Sequence, residues 1–325
     1  MRHLISVIAF VAITAGVGSA VAQNYPSRPI TMIVPFAAGG ATDVTARIVS
    51  EHMSRTLGQR IIVENIVGAG GTVGSARAMR ANPDGYTIEM GQMGTHATAV
   101  ALYPNLPYRP EFDFEPIGMA RMDPMLIVAR KDLPPKDLKE FVAYVKANGS
   151  RLNVSHAGVG SIFFATCLLL NSILDVNPTL VPFNGGAPAM NALVGGQVDY
   201  MCADPITTIP QLQAGTIKAY AIGADDRNPV LPTVPTAREA GLAEFQVLSW
   251  HALFAPKGTP KPILDRLTAA LDQALDDEST RKRLLDAGSD IPDKPRRGQQ
   301  ALTALVKSEI ARWTPIIKAA NVKAE

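Results

Sequence analysis

From Ile30 onward the chain alternates between short apolar runs and longer amphipathic stretches, with turn-forming residues between them. The first run, Ile30, Met32 and Ile33-Val34, predicts a buried strand ended by Pro35. Gly39 and Gly40 follow, after which Ala41, Val44, Ile48, Val49, Met53 and Leu57 recur at helical spacing. This predicts a helix starting around Thr42 or Asp43, either of which is a suitable N-cap. The same reading assigns strands to 60–64, 86–90, 125–129, 152–155, 179–183, 198–203, 218–223 and 245–255. It assigns helices to about 72–81, 138–147, 162–174, 188–194 and 299–320, and one that opens at Thr259-Pro260 and carries Ile263, Leu267, Leu271 and Leu275. The helix over 162–174 is apolar almost all round and is expected to be buried. Residues 106–108 and 112–116 read as a longer connection. Alternating strands and helices favour an α/β fold with parallel sheets covered on both faces.

A repeated junction stands out. The strands ending near Val34, Glu64, Ser155 and Phe183 each run into a glycine-rich or small-residue turn that opens a helix. Free backbone N–H groups and the helix dipole converge at such a junction, which makes it an anion site. For the 30–57 stretch alone, a βα unit whose turn simply needs glycine is the competing explanation. Ligands in open α/β sheets bind at the carboxyl ends of strands. If two such sheets face each other, these turns line one cleft with backbone donors.

Composition narrows the function. The chain has 325 residues, 47% of them hydrophobic and 18% charged, with a formal charge of +2. That suits one large or two ordinary α/β domains with ample core. Near-neutrality and the lack of a lysine or arginine run argue against nucleic acid as a partner. Arg2 and His3, the apolar 4–17 stretch and Ala20-Val21-Ala22 read as a signal peptide over 1–22, cleaved before Gln23, so export to the bacterial periplasm is expected. An uncleaved anchor is the alternative, but the apolar run is short for a membrane span. Cys167 and Cys202 are the only cysteines and read as small buried hydrophobes, with a disulfide as the other possibility.

Enzyme chemistry finds little support. Gly68, Gly70 and Gly74 form a weak nucleotide signal after a strand, but none of the seven tyrosines is followed four residues later by lysine. No serine lies in G-x-S-x-G, His52, His96, His156 and His251 are too scattered for a metal set, and Cys167 sits in an apolar helix pattern. An exported hydrolase or dehydrogenase acting on a small carboxylate remains the alternative function, and no cofactor or metal is expected.

Several segments together resemble the Bug (TctC-like) solute-binding proteins of tripartite tricarboxylate transporters. They are Tyr25 to Ile30, Val34-Pro35-Phe36 through Gly39-Gly40 to Asp43 and Ala46-Arg47, Gly68 to Gly71, Pro83 to Thr87, Leu106-Pro107-Tyr108, Gly195 to Asp199 and Leu231 to Thr236. The resemblance covers essentially the whole chain after the signal peptide. It implies a type II periplasmic binding protein, a Venus flytrap of two lobes with parallel-dominated sheets and a hinge cleft. Crossings are expected near Arg121–Met125 and Phe245–Trp250, giving a discontinuous first lobe of 23–123 plus 248–325 and a second of 124–247. It also implies a monomer that binds a small mono- or dicarboxylate and delivers it to the transporter's membrane subunits.

Carried over by position, the resemblance implies a pocket of Phe36, Ala38, Gly39, Gly40 and Asp43, then Thr95, His96 and Ala97, then Ser155, Gly158, Gly160 and Ser161, completed by Gly185, Gly186, Ala187 and Asp204. Asp43 and Asp204 would accept from water or a ligand hydroxyl, with N-capping as the alternative role. Phe164 and Phe183 depart from the histidine and tyrosine common in relatives, and the Phe163-Phe164 pair also suits plain core packing. No arginine pair is spaced to clamp a carboxylate, and Arg47 and Arg121 are expected outside the pocket. Three or four hydrogen bonds to a charged group, at about 1.5–3 kcal/mol each, would suffice for micromolar binding.

Overall fold

The computed structural model describes residues 25–320, so the expected signal peptide lies outside the described residues. Two five-stranded sheets organise the chain. The first contains β1 (Ile30–Val34), β2 (Ile61–Asn65), β3 (Thr87–Gln92), β4 (Phe114–Pro124) and, from far along the chain, β10 (Leu248–Pro256), in the order β2-β1-β3-β10-β4. The second contains β5 (Leu126–Arg130), β6 (Asn153–His156), β7 (Thr179–Pro182), β8 (Tyr200–Ala203) and β9 (Ile217–Ile222), in the order β7-β6-β8-β5-β9. The orders are the same, with β6 to β9 standing for β1 to β4. In each sheet the strand that enters from the other half, β10 or β5, lies antiparallel to both its neighbours. The sheets are therefore mixed, not purely parallel as strand–helix alternation alone suggests.

Helices cover the sheets: α1 (Ala41–Leu57), α2 (Thr72–Met79), α3 (Leu138–Asn148), α4 (Ile162–Leu174), α5 (Gly186–Val194), α6 (Pro205–Gln213), α7 (Lys261–Asp276), α8 (Glu278–Asp286) and α9 (Gln299–Ala319). Residue alternation in β1 sends Ile30, Met32 and Val34 into a core with Ile48, Val49 and Met53 of α1 and Leu267 and Leu271 of α7. Ile33 points the other way, into a larger core that runs on through the second sheet and takes in Trp313 and Ile317 of α9. The connections between the sheets are tied backbone to backbone. Met125 N–H donates to Val247 O at 3.0 Å, Gly223 N–H to Met125 O at 2.8 Å and Val247 N–H to Gly223 O at 3.2 Å.

Three elements differ from the sequence reading. β4 takes in residues 114–116, read from sequence as connection, and runs on into the crossing expected near Arg121–Met125. Pro116, Gly118, Arg121, Asp123 and Pro124 break its apolar run; Arg121 and Asp123 are nevertheless fully buried and pair with each other. α6 carries Pro205 at its start and Pro210 inside, which masks a helix that Asp204 caps by accepting from Thr207 N–H at 3.0 Å. α8, capped by Asp277, has almost no apolar stripe. The start of α1 is also a correction. Gly40 is its N-cap, with no side-chain bond, while Asp43 in the first turn accepts from Gly39 N–H at 2.9 Å. Both cysteines are free and buried, and Cys202 N–H donates to Cys167 Sγ at 2.9 Å.

Candidate functional site

The carboxyl ends of β1, β3, β6 and β8 and the turns that follow them meet between the two sheets. Hydrogen bonds tie the meeting turns: Ala37 N–H donates to Asn184 O at 3.0 Å, and the Tyr103 and Thr98 hydroxyls donate to Val159 O at 2.6 Å and Gly160 O at 3.2 Å. Only glycine fits at the closest approach. A Cβ on Gly70, whose φ is +61°, would stand 1.6 Å from Val159 O, and one on Gly158 would stand 2.9 Å from Gly70 Cα. This explains the Gly68-Ala69-Gly70-Gly71 turn without any phosphate.

Two connected spaces lie at this junction. The outer one is a groove of about 560 Å³ between Pro35, Phe36, the Gly68–Gly71 turn, Tyr103, Ala157 to Val159 and Pro182 to Asn184. The inner one is a cavity of only about 20 Å³, which shares Phe36 and Ala157 with the groove. It is closed by Gly40, Ala41 and Thr42 of α1, Ile162 and Phe163 of α4, Gly186 of α5, and Gln92, Asp204 and His251. Helices α1, α4, α5 and α6 thus all turn their N-terminal ends toward it. The approach is close, since a Cβ on Gly40 would lie 3.6 Å from the backbone nitrogens of both Gly186 and Ala187. First-turn N–H groups have no partner within their own helix, so they and the dipoles favour an anion here. No lysine or arginine is among the residues lining either space.

The residues singled out from sequence are distributed unevenly over this site. Phe36, Gly40, Gly158, Gly186 and Asp204 line the groove or the cavity. Ala38 and Gly39 are exposed on the turn, and Gly39 faces Ala187 across the cleft. Gly185, Gly160 and Ser161 lie at the contact between lobes; Ser161 caps α4, its Oγ accepting from Phe164 N–H at 3.2 Å. Ser155 is buried and donates to Ala189 O at 3.3 Å. Asp43 accepts from Arg47, Asn65 and Gly39 N–H. Burial alone would raise its pKa, but those bonds outweigh it and hold the carboxyl below its usual range.

Thr95, His96 and Ala97 are fully enclosed in a π-helical turn, Gly94–Thr98, behind the cavity wall. The His96 ring stacks on Phe254 at 3.9 Å, and its Nε2 stands 3.8 Å from Glu89 Oε2. Burial pushes Glu89 up to about 8 and His96 down to about 3, so at neutral pH they are two neutral groups and not an ion pair.

Thr42, Gln92, Ala157, Phe163 and His251 also line the cavity, although the sequence reading did not place them there. Gln92 ends β3, so the rule that selects strand ends points to it; Thr42, Ala157 and Phe163 fall within the strand–turn–helix junctions already singled out, and only His251, in the middle of β10, has no local signal. Thr42 Oγ1 and His251 Nε2 are 3.0 Å apart, and Arg121 Nη2 stands 3.4 Å from the same nitrogen. A guanidinium only donates, so Nε2 accepts and the imidazole proton belongs on Nδ1. Burial first, then Arg121, keeps His251 neutral. Arg121, expected outside the pocket, is not among its lining residues but stands directly behind His251; it is wholly buried, and burial brings it down to about 10 although Asp204 pulls the other way. Phe164 packs in the core with its edge on His156, whereas Phe183 lines the groove. Among the described residues, no three histidine, cysteine, aspartate or glutamate side chains are grouped to hold a metal ion.

A matched pair of mixed sheets, each completed by a strand from the other half, with helix N-termini directed into the space between them, defines a two-lobed periplasmic binding protein. The chain belongs to the tripartite tricarboxylate transporter family receptors (TctC), whose profile matches residues 45–322. This is a family of solute-binding receptors. BugT of Bordetella pertussis is 30% identical over 99% of this chain and 99% of its own length. Among solved structures, MatC of Rhodopseudomonas palustris with bound malate is 51% identical, with a TM-score of 0.88 over 90% of this chain and 100% of its own. The periplasmic binding protein BugD is 42% identical, with a TM-score of 0.89 over 93% and 100%. R. palustris Rpa4515 with adipate is 30% identical, with a TM-score of 0.87 over 92% and 99%.

Proposed function

We propose that this protein is exported to the periplasm, captures a small organic mono- or dicarboxylate between its lobes and presents it to the two membrane subunits of a tripartite transporter. The observation that carries the reading is the arrangement around Gly40 and Gly186. Two helix N-termini from opposite lobes face each other so closely that a Cβ on Gly40 would touch the backbone nitrogens of Gly186 and Ala187, and no lysine or arginine lines the space. Such a site recognises an anion through fixed backbone N–H groups and discriminates weakly between carboxylates by charge. The malate and adipate bound by MatC and Rpa4515 fit the same ligand class. The receptor would act as a monomer, and the 1–22 segment would be removed on export.

The test is a thermal-shift screen of mono- and dicarboxylates followed by calorimetric titration, because a ligand that binds only the native state raises its stability by mass action. At least one small carboxylate should bind at micromolar concentration or tighter. Binding by none of them, with uncharged isosteres or cations binding instead, overturns the reading.

A further inference from the structure

Asp204 is the one carboxylate in a cavity onto which helix N-termini converge. It is 1% exposed, and Oδ1 accepts from Thr207 N–H at 3.0 Å and Thr207 Oγ1 at 3.2 Å. Among the described residues Oδ2 has no hydrogen-bonding partner. Burial raises the pKa of this carboxyl above its usual range, while Arg121 and the Thr207 bonds pull it back toward the charged form. In the carboxylate form Oδ2 can only accept. A buried acceptor left without a donor is costly, so such groups are normally matched. An anionic ligand held by the neighbouring N–H groups supplies further acceptors; to satisfy Asp204 it must also carry a donor. The cavity fits a single group of that size, because about 20 Å³ is room for one water-sized group. Gly40, Gly186 and Asp204 line the same small space, so the donor belongs immediately beside the anion.

We propose that Asp204 selects carboxylates bearing a hydrogen-bond donor, a hydroxyl or an ammonium group, on the carbon next to the carboxylate, with Oδ2 as the acceptor. Asp204 comes from the second lobe, whereas Thr42, Gln92 and His251 come from the first, so this recognition is complete only when the lobes meet. Thr42 Oγ1 and His251 Nε2 are engaged with each other at 3.0 Å, and Asp204 is the only carboxylate among the lining residues. A site built around a polar group of its ligand rejects the analogue that lacks it far more strongly than an apolar pocket rejects a missing methylene.

The inference rests on the carboxylate reading above, and the experiment separates the two. Calorimetry on the full mature chain compares matched pairs: malate with succinate, lactate with propionate, and 2-hydroxyadipate with adipate, with aspartate as the ammonium counterpart of malate. For the pair whose chain length fits, the donor-bearing acid should bind at least about 10-fold more tightly, as one charge-assisted hydrogen bond implies. Asp204→Asn keeps an oxygen to cap α6 and replaces the acceptor with a donor. It should retain the wild-type melt and lower the affinity of the donor-bearing acid at least about 10-fold, while changing its unsubstituted partner less than about 3-fold. Malate against aspartate then tells hydroxyl from ammonium. Equal binding within every pair, or an unchanged ratio in Asp204→Asn, overturns the role of Asp204 and leaves the receptor reading intact. If no member of any pair binds, both fall.

Discussion

Gly70→Ala isolates the closure of the lobes from the stability of the fold. Gly70 adopts φ +61° and ψ 23°, so alanine there costs about 1–2 kcal/mol of backbone strain. Its Cβ would also stand 1.6 Å from Val159 O, where a carbon and an oxygen need roughly 3.3 Å, so the turns must part by more than an ångström. Val159 belongs to the opposite lobe, so an open receptor does not feel this clash. Gly196→Ala is the matched control: its φ is +70°, yet nothing lies within 4 Å of the added carbon. Both variants should lose similar stability in a ligand-free melt. Only Gly70→Ala should lose affinity, because an open cleft forfeits the hydrogen bonds of one lobe. Two such bonds to a charged ligand, at about 1.5–3 kcal/mol each, correspond to a loss of roughly 10²- to 10⁴-fold. Titration with the best carboxylate measures this, and small-angle scattering should show the wild type, but not Gly70→Ala, contracting on saturation. If Gly70→Ala binds within about 3-fold of Gly196→Ala, the contact at Val159 is not a condition of binding and the closure argument fails.

Three further outcomes are expected. Gly160→Val, at φ +91° and with its Cβ 2.7 Å from Tyr103 Cε2, should weaken carboxylate binding by orders of magnitude, whereas Arg47→Ala, half-exposed and paired with Asp43, should change it by less than about 1 kcal/mol in the same titration; the opposite ranking would mean that a guanidinium clamps the ligand. Glu89, with its folded pKa raised to about 8 from 4.5, contributes stability that is full below about pH 4.5 and lost as pH rises through 8, so Glu89→Gln should gain on the wild type between pH 5 and pH 9 by on the order of 4 kcal/mol in urea denaturation, and parallel pH profiles would contradict it. Protein recovered from a bacterial periplasm should begin at Gln23 by N-terminal mass analysis, and retention of Met1 in secreted material would refute cleavage after Ala22.

What can be read from the chain depends on how local the cause is. Helix α4 is legible to its ends, because Ser161 is a side-chain cap and every turn that follows is apolar. The Ile30–Val34 strand and its glycine turn are legible for similar reasons: alternation and Pro35 are written within ten residues. β4 is not, since its buried Arg121 and Asp123 are tolerated only because they meet each other and Asp290 N–H across the fold. The cavity wall shows the same limit. Thr42 and His251 are 209 residues apart in sequence and 3.0 Å apart in space, and neither carries a local pattern that names the other. His96 sits in a small-residue turn of the sort that meets ligands, yet the ring it carries finds Phe254, and only the third dimension decides between those fates.

The exchanged strands also set an order of events during biosynthesis. β4 is the outer strand of its sheet and its only neighbour there is β10, which is not complete until Pro256 has been made. Every strand of the second sheet, by contrast, lies within the continuous stretch from Leu126 to Ile222. A nascent chain can therefore finish the later-starting sheet while the earlier-starting one still lacks the strand that joins its outer edge to the rest. The long separation between these partners makes their pairing slow, because loop closure must be completed before the contact rewards it. Until then β3 and β4 both present open edges, the kind of surface that recruits other chains. A polypeptide of this design gains from being kept extended until its last third has been delivered.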